Sequence, residues 1–278
     1  MRARFLLGFH QPGALATAGV PLFVSDTRLR PYKTLPRAIA PWGLDSGGFT
    51  QLQKHGRWTV GAREYVTRVR RYHDEIGHLE FAAIQDWMCE PIVISGGRAG
   101  RMHFAGTGLS VAEHQRRTVA SAVQLREIAP DLPWLPVIQG YTADQYRHCI
   151  DLYEHAGIDL SAEPLVGIGS VCRRQGMEEA HQIVRAVRDH GVARLHGFGV
   201  KTLGLRLFGD LLDSADSMAW SEDARRKKRP LCGSVHPRGA KNCANCLTWA
   251  KQWRTHLLAR HPPDRPQLRL FDDLDDAA

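Results

Sequence analysis

The chain alternates, and that alternation limits its fold more than anything else in it. Short apolar stretches of strand length are followed by a polar or glycine-rich turn, and then by a stretch with helical spacing. Phe5–Phe9 reads as a first strand and Pro21–Ser25 as a second extended run. A short run, Ala40, Trp42 and Leu44, leads into Asp45. Ala62–Ile76 has helical spacing, with Tyr65, Val66, Val69 and Tyr72 on one face and arginines on the other. Leu79–Gln85 reads as a strand that ends at Asp86, and Gly96–Gly108 as a glycine-rich loop. Ser110–Ile128 reads as a helix with Ser110 as N-cap and Glu113 three residues on. Then follow a strand Leu135–Gln139, a helix Ala143–Ala156, a strand Leu165–Ile168 and a helix Met177–His190. A strand and turn Arg194–Gly199, a short helix Leu203–Leu212 and a last strand Ser217–Trp220 complete the series.

This is the βαβ rhythm of a parallel sheet. The number of repeats and the length of 278 residues favour a TIM-type (β/α)8 barrel in the α/β class over an open sheet. Such a chain buries a sizeable core. In these barrels chemistry sits at the C-terminal ends of the strands. Asp45, Asp86, Gln139, Gly167 and Gly199 fall at expected strand ends, and Asp216 falls just before the last expected strand. No linker divides residues 1–278, so one domain is expected. From Leu231 the rhythm stops, and a zinc-binding knot is expected over residues 231–256. The acidic end, 270–278, reads as a loose tail.

Net charge is +8 and the pI is near 9.4, a balance that favours anionic partners such as nucleic acid. The densest basic run is Arg225-Arg226-Lys227-Lys228-Arg229, between two groups of chemically interesting residues. Arg225, Arg226, Lys228 and Arg229 are the candidate phosphate contacts; the plainer reading is a solvated face. No apolar run approaches a membrane span, and the N-terminus makes a poor signal peptide, so a cytoplasmic protein is expected.

Gly43-Leu44-Asp45-Ser46-Gly47-Gly48-Phe49 carries one carboxylate off a strand end into a turn of small residues. Glycines let backbone approach a ligand closely. The carboxylate then stands beside exposed N–H groups, where it suits acid/base work, or merely caps the next segment. Asp86 and Asp216 are two further carboxylates. Two carboxylates across a glycosidic carbon can run a double displacement, and a third can recognise a purine edge. Gln139 offers an amide to a base carbonyl.

Cys232, His236, Cys243 and Cys246 offer three thiols and an imidazole, enough for a closed tetrahedral zinc site without an open position. The Cys243/Cys246 spacing is its specific part, and His256 is a rival to His236 as fourth ligand. Cys89, Cys149 and Cys172 are scattered singly and read as ordinary buried thiols.

Asp45-Ser46-Gly47-Gly48-Phe49 resembles the DSGGF motif of tRNA-guanine transglycosylases. Gln85-Asp86-Trp87-Met88-Cys89-Glu90 aligns with their DEC segment, with Trp87 in place of the Glu. Val137-Ile138-Gln139-Gly140 is similar to their VQG. Val166–Ser170 lies where they have a GGLA-type turn. Ala215-Asp216-Ser217-Met218 lies where they have the FDC nucleophile segment, without its Cys. The cysteine cluster does not keep their CxCxxC spacing. These departures point to a sister group. The strings Asp45–Phe49, Gln85–Pro91, Val166–Gln175, His196–Lys201 and Ser214–Ser221 resemble the DpdA family, and the likeness runs from about Phe5 to Trp253. That family exchanges guanine in DNA for a 7-deazaguanine and is frequent in phages.

The resemblance implies that Asp216 is the nucleophile on C1′ of deoxyguanosine and that Asp45 handles the proton on the heterocycle. It implies that Asp86, Gln139 and Gly167 bind the base, with Ser46 and Gly47 beside it. It also implies a structural Zn2+ and, as partners, DNA and a 7-deazaguanine base such as preQ0. No membrane partner is expected, and a homodimer is compatible with the sequence. Two other readings compete. A tRNA-acting transglycosylase is disfavoured because nothing after the knot resembles an added RNA-binding domain. A catalytically silent nucleic-acid-binding partner is disfavoured because Asp45 and Asp216 are both present.

Overall fold

The computed structural model describes residues 4–171, 178–233, 236 and 241–260. The end of one motif, Cys172-Arg173-Arg174-Gln175, and the acidic tail 270–278 lie outside the described residues.

The strands are β1 (Arg4–Gly8), β2 (Leu22–Ser25), β3 (Trp42–Asp45), β4 (Leu79–Ala83), β5 (Gly97–Ala99), β6 (Met102–Phe104), β7 (Trp134–Leu135), β8 (Val137–Ile138), β9 (Val166–Ile168), β10 (Leu195–Gly197) and β11 (Ser214–Ser217). The helices are α1 (Asp26–Leu29), α2 (Gly48–His55), α3 (Ala62–Ile76), α4 (Pro91–Ser95), α5 (Val111–Ile128), α6 (Ala143–His155), α7 (Glu178–Asp189), α8 (Thr202–Phe208), α9 (Ala219–Lys227) and α10 (Leu247–Arg260). The main sheet has nine parallel stretches in the order β7-β4-β3-β2-β1-β11-β10-β9-β8.

The two ends of that order are neighbours in sequence. Only Pro136 separates β7 from β8. Proline lacks an N–H and cannot complete a ladder. Its carbonyl still accepts the Gly167 N–H at 2.8 Å, while the Leu135 carbonyl on the other side takes the Ile84 N–H at 3.3 Å. Counting β7 and β8 as one interrupted strand, the nine stretches are eight strands, and the sheet closes into the expected (β/α)8 barrel.

Two apolar layers follow from the period-2 alternation. Outward residues such as Phe5, Leu7, Val24, Leu44 and Ala215 pack under the helices, where α3 buries Tyr65, Val66, Val69 and Tyr72. Leu6, Phe23, Phe81, Leu135 and Leu165 pack together in a separate cluster that fills the barrel. Helix starts follow their caps: Ser110 accepts the Glu113 N–H at 3.1 Å, and Thr142 with Gln145 forms a full capping box.

Three sequence expectations change. The last strand is Ser214–Ser217, not Ser217–Trp220, and Trp220 belongs to α9. The apolar Met218 and Trp220 read as strand, but here the inward face of the strand lines a polar site, so its side chains are a serine and an aspartate. Asp216 is therefore inside the strand, opposite Leu6 of β1. Gly96–Gly108 holds an antiparallel hairpin, β5–β6, turned at Gly100-Arg101. Finally, the crossovers after β1 and β2 are a 3-10 turn, Pro12–Ala16, and the four-residue α1, not full helices.

Candidate active site

Asp45, Asp86, Gln139, Gly169, Ser170, Gly199 and Asp216 meet at the C-terminal ends of the strands. They line a cavity of about 250 Å3, on the small side of the several hundred Å3 usual for ligand pockets. Phe23, Phe49 and Phe198 supply apolar wall. Such a mixture suits one flat, polar-edged ring.

Asp45 ends β3, and its Oδ1 accepts the Gly47 N–H at 3.1 Å. Gly47 has φ 80°, and a Cβ there would stand 2.7 Å from the Thr27 methyl, so only glycine makes this turn. Asp45 is open to the cavity yet deep enough that burial pushes its carboxyl above the usual carboxylate range. The charges of Asp216 and Asp26 push the same way, against the Gly47 N–H and the Ser25 hydroxyl. Burial also raises Asp86, to about 7, opposed by its bond from Gln139 and assisted by the charges of Asp45 and Glu90. Burial and the neighbouring charges thus raise both Asp45 and Asp86 above the usual carboxylate range.

Gln139 is fully buried. Its Nε2 donates to Asp86 Oδ2 at 2.5 Å, and its Oε1 lies 2.6 Å from the Ser170 hydroxyl. Ser170 Oγ also accepts the Cys89 N–H at 2.9 Å and lies 2.9 Å from Glu90 Oε2. A Cβ on Gly169 would come within 2.2 Å of Gln139 Nε2, so this glycine leaves the room that the amide uses to reach Asp86. Ser170 itself holds φ 58°, a left-handed conformation that costs a non-glycine residue about 1 kcal/mol or more. The loop after β4 is pinned from three sides: Trp58 Nε1 donates to the Asp86 carbonyl at 3.1 Å, Trp87 N–H to Thr118 at 2.9 Å, and the His114 ring to the Met88 carbonyl at 2.7 Å.

Asp216 is buried, and its Oδ1 accepts the Gly199 N–H at 2.8 Å. Ser46 is buried behind the cavity wall, and Gly47 acts through Asp45. Gly167 is not brought to the cavity: it sits inside β9 with its amide on Pro136, and Gly169 reaches the wall instead. Sequence reasoning gave no role to His196, Glu90, Ser170 or Phe198. Glu90 and Ser170 lie within the strings Gln85–Pro91 and Val166–Gln175, and His196 and Phe198 within His196–Lys201, but only the barrel shows that they converge.

Cys232, His236, Cys243 and Cys246 place their four ligand atoms within 4.8 Å of one another. The His236 Nε2 lies 3.2 Å from the sulfurs of both Cys232 and Cys243. Edges of this length fit a tetrahedron around a metal such as zinc, with ligand bonds of roughly 2.0–2.3 Å. Backbone N–H groups of Leu231 and Trp249 point at the sulfurs of Cys243 and Cys246, at 3.0 and 3.4 Å, as partners that steady thiolate ligands do. His256 is exposed on α10 and is not part of the cluster. The knot grips the barrel near β1 and β11. Ser221 Oγ donates to the Ala244 carbonyl at 2.7 Å, Trp249 Nε1 to Trp220 O at 3.2 Å, and Trp220 Nε1 to Gly8 O at 2.9 Å.

Arg225, Arg226, Lys228 and Arg229 are exposed at the end of α9 and just beyond it. Asp223 pairs with Arg226 at 3.8 Å and with Lys227 at 2.8 Å. Arg225 is close enough to His10, just past β1, to disfavour its protonation after burial has done so. The hairpin that follows β4 and α4 adds exposed Arg98, Arg101 and His103.

No described helix is long and apolar enough to cross a membrane. A family model described as "DpdA: DeoxyPurine in DNA protein A" matches residues 1–271. The curated proteins contain no match to the chain.

Proposed function

The chain belongs to the DpdA family, whose members serve deoxypurine modification of DNA, and from that premise we propose that it is a DNA base transglycosylase, exchanging guanine for a 7-deazaguanine. The observation that carries this reading is the convergence of Asp45, Asp86, Gln139 and Asp216 on one small cavity at the C-terminal ends of the strands.

A target guanine must leave the helical stack to reach such a cavity. Asp86 and Gln139, tied to each other, face its hydrogen-bonding edge. Asp216 attacks C1′ through a carboxylate oxygen as the C1′–N9 bond breaks, and the bonding pair departs with the purine. Asp45, which holds a proton above the usual carboxylate range, protonates the departing ring. The incoming 7-deazaguanine then gives its ring N–H proton to Asp45 and attacks C1′, and the Asp216 carboxylate leaves. Two inversions return the original β-linkage.

Zinc, held by Cys232, His236, Cys243 and Cys246, would supply folding energy, with no ligand position left for substrate. Arg225, Arg226, Lys228 and Arg229, with Arg98 and Arg101 of the hairpin, are proposed to hold phosphates without reading sequence. The test is incubation with labelled guanine and either DNA or tRNA. Label is expected in DNA; label in tRNA alone would move the activity to RNA, and label in neither would leave a silent binding protein.

A further inference from the structure

Three buried side-chain nitrogen or oxygen atoms among the described residues have no hydrogen-bond partner: His10 Nδ1, Ser121 Oγ and His196 Nε2. The first two residues do not line the cavity. The third lies 3.5 Å from Asp216 Oδ1.

Strand register puts it there. His196 of β10 is opposite Ser214 of β11, and Asp216 follows two residues later, so all three side chains share the inward face. The ring is fully buried. Phe23, Phe81 and Phe198 surround it, with ring centroids at 5.4, 5.1 and 4.8 Å. Its Nδ1 is 2.8 Å from Ser214 Oγ. A neutral imidazole carries its proton on one nitrogen only. With the proton on Nδ1, the Nε2 lone pair would face a carboxylate oxygen in a dry aromatic cage. With the Ser214 hydroxyl donating to Nδ1, the proton sits on Nε2 and points at Asp216. The second arrangement satisfies both contacts, and the first sets lone pair against lone pair.

We propose that His196 is a positioning residue for Asp216: its Nε2–H and the Gly199 N–H together hold Oδ1, the carboxylate selects the tautomer while the Ser214 hydroxyl donates to Nδ1, and Oδ2 is the oxygen presented to C1′. The contact is long without substrate and shortens when the cavity fills, as hydrogen bonds in empty sites do. The proposal rests on Asp216 being the nucleophile. It adds a consequence for the two half-reactions. In the covalent state Oδ2 is esterified and Oδ1 is a neutral carbonyl. In the second half the C1′–Oδ2 bond breaks, its electron pair returns to the carboxylate, and negative charge reappears next to two fixed N–H donors. Hydrogen bonds to charged acceptors are the stronger ones, so His196 speeds this step most.

Nitrogen NMR of the histidine rings tests the contact without any reaction. Nε2 of His196 is expected to carry a proton, with a signal that shifts in Asp216→Asn. A bare, pyridine-like Nε2 overturns the proposal. Trapping on denaturing gels tests the kinetics. His196→Phe fills the aromatic cage without a nitrogen, and is expected to slow release of the trapped adduct by about tenfold or more. His196→Gln, which returns an N–H near Nε2, should recover most of that rate. Equal release rates in wild type and His196→Phe overturn the proposal. Should His196→Phe fail to fold, Ser214→Ala takes its place: the proton is expected to stay on Nε2, the Nδ1 signal to shift as its donor is lost, and the less firmly held ring to release the adduct more slowly; an unchanged Nδ1 signal and release rate would overturn the proposal. Wild-type protein that forms no adduct with guanine-containing DNA defeats the transglycosylase reading instead, and the NMR result alone then decides the His196–Asp216 contact.

Discussion

Asp216 and Asp45 face one cavity from different surroundings, and their substitutions should fail differently. Asp216→Asn should abolish the covalent DNA adduct, because an amide does not displace a base from C1′. Asp45→Asn should still give the adduct but slow its formation by about a hundredfold to ten-thousandfold, the usual range when an acid/base group is removed. Rapid-quench trapping separates them, and an adduct in Asp216→Asn that is missing in Asp45→Asn would reverse the roles. Asp86 allows a test on stability alone. Its folded carboxyl holds a proton up to about 7, whereas an unfolded aspartate releases it near 3.8. Between those values the folded state binds more protons, so stability falls as pH rises, by up to about 1.4 kcal/mol per pH unit. Asp86→Asn, which cannot ionise, should match wild type near pH 3, gain an advantage that grows from about pH 4 to about pH 7, and keep it at pH 8 in denaturant melts while base binding is lost. An advantage that stays constant across pH would mean that Asp86 is not held protonated. Gly169→Ala should weaken base binding without unfolding the barrel, because the new Cβ displaces the Gln139 amide from Asp86.

Among the elements, α9 joins the two chemical regions. It begins two residues after β11, which carries Asp216, and its Ser221 and Trp220 are gripped by the cysteine knot. One tightly held zinc per chain is expected on metal analysis of fresh protein, and a content well below that would argue against the site. A closed metal site contributes folding energy directly. Chelation, or Cys243→Ser, should therefore lower the melting temperature by several degrees, with activity surviving in the fraction that stays folded. His236→Ala should lose the metal and His256→Ala should keep it, since His256 is exposed and outside the cluster.

At the scale of the whole molecule, a net charge of +8 meets a polyanion. Neutralising Arg225, Arg226, Lys228 and Arg229 together should weaken DNA binding and flatten its salt dependence, by roughly one unit of log–log slope for each phosphate that is no longer neutralised. Because Asp223 already pairs with Arg226, that arginine should contribute less than Arg225. An unchanged slope in the quadruple variant would return the run to an ordinary solvated face.

The alternation of apolar runs and helical spacing determined the barrel, because a parallel strand must be followed by a crossover and the hydrophobic period records each one. Asp45, Asp86 and Gln139 were legible for the same reason, as polar residues just past apolar runs. The metal cluster was legible because ligand spacing is local. The rest required tertiary structure. The last strand was misplaced because Ser214 and Asp216 look like loop until the sheet closes and turns them toward a polar interior. Leu135–Gln139 read as one strand straight through Pro136, and only the structure shows that the proline splits it into β7 and β8, which pair with different neighbours. The resemblance pointed to Gly167, and that Gly169 reaches the cavity wall is visible only once register fixes which end of the strand meets it. His196 looked like any strand residue beside a glycine turn. Its distance to Asp216 is a contact between neighbouring strands, set by how the barrel closes, and no local pattern in the chain encodes it.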